Sequence, residues 1–109
     1  MSTQTIPRAE WTSFFEDFSR KHEGWGVTLE IFGPEIGDQL EERELFLAGV
    51  SADAKEDKIE IMIGGNPGRH LTHVIAAPVE VGITRAKEGN DGALHIKSAD
   101  GTTALLHLS

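Results

Sequence analysis

Chemistry in this chain cannot come from cysteine, because its 109 residues include none. Disulfides, thiolate metal sites and cysteine nucleophiles are thereby excluded. The five histidines, His22, His70, His73, His95 and His107, are the side chains that titrate nearest neutrality. His70 and His73 are three apart, a spacing that shares a face on a helix but points to opposite faces on a strand. His73 instead shares parity with Leu71 and Ile75, which directs it towards a core. With Arg69 and Trp25 it forms the candidate ligand-binding group. His95 and His107 are the candidate metal pair, since two imidazoles on adjacent strands can begin a zinc site. No nearby carboxylate supplies a third ligand, and a pair of half-buried histidines with their own partners is the plainer expectation.

Other motifs carry less. Gly64-Gly65-Asn66-Pro67-Gly68 resembles an anion loop only in composition. The lysine and hydroxyl residue of a P-loop are missing, and β-type sequence follows it. Glu35, Asp38, Glu41, Glu42 and Glu44 lack the spacing of a calcium loop. Ser13, Ser19, Ser51 and Ser98 sit in no nucleophile elbow. No catalytic residue and no cofactor is indicated.

These residues must be positioned by one helix and a set of strands. Pro7 suits a first helical turn. Trp11, Phe14, Phe15, Phe18 and His22 then recur at three and four, forming an apolar stripe. Arg20, Lys21 and His22 complement the negative end of the helix, and Gly24 supplies a left-handed stop. Beyond it the period falls to two. Trp25, Val27, Leu29 and Ile31 alternate with Gly26, Thr28, Glu30 and Phe32, as Ile59, Ile61 and Ile63 do with Lys58, Glu60 and Met62. A further strand is expected over 44–52, where Leu45-Phe46-Leu47 blurs the facing. Residues 34–43 read as a loop or one helical turn. Around Pro78 the segment 71–85 reads as two strands, or one bent at a corner. Gly89-Asn90-Asp91-Gly92 reads as a turn. The final hairpin turns through Ala99, Asp100 and Gly101, with glycine where a left-handed residue is needed. That register pairs Leu94 with Leu106 and Ile96 with Ala104, leaving His95, Lys97, Thr103, Leu105 and His107 on the other face.

The expected fold is therefore α+β and β-rich: an N-terminal amphipathic helix, then a curled antiparallel sheet or small barrel of five to seven strands. One domain spans 1–109. The order is similar in architecture to Sm-like and SH3-like small barrels.

The net charge is −8, and its distribution is uneven. Residues 25–57 carry −7, residues 1–24 carry −1, and residues 58–109 are neutral. Nucleic acid is not an expected partner, because phosphate tracking needs a positive field. The polar, uncharged opening Met1–Thr5 has no secretory layout, and no apolar run approaches the length of a membrane span. Cytoplasmic localisation with no membrane contact is the expectation.

The run Ile6-Pro7-Arg8-Ala9-Glu10-Trp11, with Phe14-Phe15 and Gly24-Trp25 behind it, resembles the opening of a family of small bacterial proteins defined as a domain of unknown function. His70–Pro78, Ala93–Ile96 and Asp100-Gly101 are similar to it too. The resemblance implies a domain of about this length and carries no activity with it. The functional expectation is a non-enzymatic interaction or accessory module, whose partner is another protein or a second copy. The charge asymmetry would suit head-to-tail self-association, with Glu41 and Glu42 on the acidic side and Arg69, Arg85, Lys87 and Lys97 on the other. The alternatives are a small-molecule or metal-binding domain, or minor enzyme, near Arg69, His73 and Trp25, and, third, an Sm-like RNA binder.

Overall fold

The computed structural model describes residues 2–33, 40–65, 68–85 and 91–108, with backbone only at residues 2, 40–44, 69 and 91. In chain order the elements are β1 (Ser2–Thr5), a 3-10 turn (Arg8–Glu10), α1 (Trp11–His22), β2 (Gly26–Phe32), β3 (Leu40–Asp53), β4 (Lys58–Gly65), β5 (Arg69–Ala76), β6 (Pro78–Arg85), β7 (Asp91–Ser98) and β8 (Thr103–Leu108). All strands join one antiparallel sheet in the order β1-β6-β7-β8-β2-β3-β4-β5.

Among the described residues the strand count is eight, above the expected five to seven, and the first strand precedes the helix. Ser2–Thr5 has no apolar residue and pairs with β6 through its backbone, from Ser2 opposite Arg85 to Thr5 opposite Gly82. The barrel does not close, because β1 and β5 end the sheet and do not pair with each other. Residues 40–43 belong to β3, and Asp91 and Gly92 open β7, where loop and turn were expected.

The sheet is nevertheless strongly curled. Ala77 alone links β5, at one edge, to β6, beside the other edge. Its φ of 48° is left-handed, which is what so short a corner requires. Two bonds tie the corner down: the Ala77 amide donates to the Asp57 carbonyl, and the Ala99 amide to the Ala77 carbonyl, each at 2.9 Å.

The long strand β3 serves two neighbours. Its first part pairs with β2 and its second with β4, with a bulge between Leu47 and Gly49. The bulge explains the blurred facing: Leu45, Leu47 and Val50 point inward while Phe46 points out. Past Phe46 the edge of β3 nearer β2 has no strand partner, and α1 lies along it. Ser19 Oγ donates to the Val50 carbonyl (3.0 Å) and accepts from the Val50 amide (2.8 Å). Gly24, at φ 83°, ends the helix and donates to the Leu47 carbonyl at 2.8 Å.

The helical stripe is buried as its spacing predicts, with Trp11, Phe15, Phe18 and His22 inside and Phe14 packed at the margin. They meet the inward faces of the strands, including Leu29, Ile61, Ile83, Ile96 and Leu106, in one cluster. The β7–β8 hairpin has the expected register, Leu94 opposite Leu106 and Ile96 opposite Ala104, with Gly101 at φ 92°.

Candidate functional site

The strand β5 is where the sheet is left unfinished. In β4–β5 pairing, Ile59 faces Ile75, Ile61 faces His73 and Ile63 faces Leu71. The Ala77–Asp57 bond continues this register, so the odd-numbered residues of β5 are the ones hydrogen-bonded to β4. The amides and carbonyls of His70, Thr72, Val74 and Ala76 therefore point to the free edge. Ala76 confirms the phase, since its carbonyl accepts from Ser98 Oγ at 2.6 Å. Among the described residues, no strand pairs with the outward groups of His70, Thr72 and Val74.

The outer face beside that edge is apolar. Phe46 on β3, Met62 on β4 and Val74 on β5 fall on successive rows, a diagonal that ends at the free edge. Phe46 is 46% exposed and Val74 49%. Phe46 lies between Gly26 and Gly64, which have no side chains to cover it. Lys58 and Glu60, 3.9 Å apart, bound this face near the β3–β4 turn.

The predicted ligand group is spread along the sheet. Trp25 sits at the α1–β2 junction, where its carbonyl accepts from Leu47 and its ring meets that of His22 at 4.7 Å. The strands β3 and β4 lie between it and β5. Arg69 opens β5 opposite Gly65, and its side chain lies outside the described residues. His73 has inward parity and is half-buried, and burial pushes its imidazole below its ordinary pKa. It lines a cleft of about 170 Å³ with Ile75, Ser98, Asp100 and Thr102, between β5 and the tip of the β7–β8 hairpin. There the Thr102 amide donates to Asp100 Oδ1 at 2.8 Å and holds that carboxyl below the usual carboxylate range.

His95 and His107 share the outer face, as the hairpin register requires, but they reach apart. His95 Nε2 meets Thr84 Oγ1 at 2.7 Å, and Thr84 Oγ1 lies 3.3 Å from Thr3 Oγ1. His107 Nε2 pairs with Glu30 on β2. Among the described residues, no three histidines or carboxylates are grouped to hold a metal ion. Of the proposed charge pair, the side chains of Glu41 and Glu42, and all of Lys87, lie outside the described residues.

Sequence reasoning missed Arg8 and the outer diagonal. The Arg8 guanidinium lies 4.5 Å from the Trp11 ring centroid, donates to the Pro78 carbonyl at 2.7 Å and pairs with Asp57 at 3.4 Å. It clamps the helix start to the Ala77 corner, and partners so distant leave no local signal. The diagonal was accessible from parity, given the β3–β4–β5 register.

Residues 2–109 match the family of unknown function DUF5335. The chain belongs to this family. An uncharacterised protein of Aquifex aeolicus (strain VF5) is 30% identical over 108 residues, covering 99% of this chain and 93% of the relative. No solved structure matches the chain. No helix among the described residues is long and apolar enough to cross a membrane.

Proposed function

We propose that this DUF5335 domain is a non-enzymatic interaction module of the bacterial cytoplasm, which binds a protein partner or a second copy through β5 and the outer face beside it. The observation that carries this is the coincidence of an unpaired strand edge with an apolar diagonal that runs into it. Exposed edges recruit strands because their backbone groups lack partners, and natural sheets blunt them with lysine, proline or bulges. In β5 the outward-facing positions are His70, Thr72, Val74 and Ala76, none of which is such a device. An added strand gains main-chain hydrogen bonds from the edge and side-chain specificity from the adjoining face.

The double variant Phe46→Lys/Val74→Lys tests this. Both side chains are exposed, so the fold is retained, as circular dichroism will show. The variant is expected to lose the associations that wild type makes in solution and on purification from its own cells. If every one of them persists, the reading fails.

The cleft favours a second reading, a small-molecule site, because neutral His73 and ionised Asp100 offer a donor–acceptor pair beside apolar Ile75. A ligand-induced rise in melting temperature that disappears in His73→Ala would support it.

A further inference from the structure

We infer that the occupant of the β5 edge is a second copy of the chain, paired antiparallel about a two-fold axis through Thr72. This rests on the interaction reading above and names its partner.

Among the described residues, the three of β5 with outward backbone groups that no strand pairs are His70, Thr72 and Val74, and they are symmetric about Thr72. A two-fold at that residue sets Thr72 opposite Thr72 of the other copy and His70 opposite its Val74. Each is a hydrogen-bonded pair, so every outward amide and carbonyl of the three residues finds a partner. Moving the axis to His73 would call on Ala76 instead, whose carbonyl Ser98 Oγ already occupies. The edge is thus self-complementary in the Thr72 register.

Side chains agree with that register. On the outer face the central row becomes Met62–Thr72–Thr72–Met62, with Val74 of each copy against His70 of the other. On the inward side Leu71 lies opposite His73 of the second copy, and both are half-buried at the present edge. The pairing covers what the curled sheet leaves open.

Charge removes the main objection to self-association. Two copies at −8 repel, yet residues 61–79 contain no aspartate or glutamate. This is the longest acid-free stretch in the chain, and it contains all of β5. The contact therefore brings together the one extended region where like-charged copies meet no carboxylate from either strand.

The test is sedimentation velocity on the full chain, with three variants. Wild type is expected to sediment as a dimer at micromolar concentration. Among the described residues the Thr72 amide bonds nothing within the copy, so Thr72→Pro is expected to be monomeric with the wild-type circular dichroism spectrum. Val74→Lys, a charge at an exposed position, guards against a folding defect in the proline variant and is expected to be monomeric too. The chain has no cysteine, so Thr72→Cys should crosslink to itself under mild oxidation much faster than Thr12→Cys on the exposed side of α1. A wild-type monomer, a dimer that survives Thr72→Pro and Val74→Lys, or equal crosslinking of the two cysteine variants would overturn the two-fold pairing. If wild type is monomeric while Phe46→Lys/Val74→Lys still loses a bound protein, the pairing falls and the interaction module stands.

Discussion

Single side chains carry much of the tie between helix and sheet. Ser19 satisfies both the amide and the carbonyl of Val50, where β3 has lost its strand neighbour. Ser19→Ala leaves two part-buried backbone groups without partners, and the expected cost is about 1–3 kcal/mol in urea unfolding. His73 makes a different prediction. Its folded pKa is lowered by burial, so the unfolded chain binds more protons just below the ordinary imidazole value. Stability therefore rises with pH through that window and is lost on acidification below the ordinary imidazole value. His73→Gln should flatten the urea midpoint across this range, and an unchanged slope would count against it. Asp100 and Asp17 are held low instead, by the Thr102 amide and by Arg20 and Lys21 respectively. Their contributions are present at neutrality and disappear only below the ordinary carboxylate range, which keeps them apart from the His73 window.

Among the elements, the β7–β8 hairpin shows most directly how local sequence sets geometry. Gly101 holds φ 92°, and its amide donates to the Ser98 carbonyl at 3.1 Å. Gly101→Ala places a Cβ in the left-handed region at an expected cost of about 1–2 kcal/mol, read as a lowered melting midpoint. The hairpin was legible because alternation and turn chemistry agree on one register, and that register also put His95 and His107 on a common face. The amphipathic helix and its glycine stop were legible for the same reason, with periodicity and cap pointing one way. β1 was not, because Ser2–Thr5 contributes backbone pairing without an apolar pattern. Nor was the edge status of β5. Leu71, His73 and Ile75 alternate as they would in an interior strand, and Pro78 marks a corner beside Ala77 without saying which place in the sheet each strand takes. The inward parity of His73 was readable, whereas the reach of His95 to Thr84 and of His107 to Glu30 depends on β6 and β2 lying alongside.

At the scale of the molecule, a curled sheet ends in two edges, β1 and β5, that do not pair with each other, and the helix packs along β3. α1 occupies the free part of β3, while nothing among the described residues pairs with the outward groups of β5 from His70 to Val74. The charge pattern follows the same division, with acidity gathered in residues 25–57 and absent from 61–79. Membership of DUF5335 extends over residues 2–109, so the edge, the diagonal and the corner all lie inside the matched region. Amide hydrogen exchange along β5, read by NMR at low and high protein concentration, tests the open edge most directly. The Leu71, His73 and Ile75 amides should be protected at every concentration, while those of His70, Thr72 and Val74 exchange freely when dilute and become protected on concentration. Protection of all six on dilution would contradict the open edge, and free exchange of the even-numbered three at every concentration would contradict its pairing with a second copy.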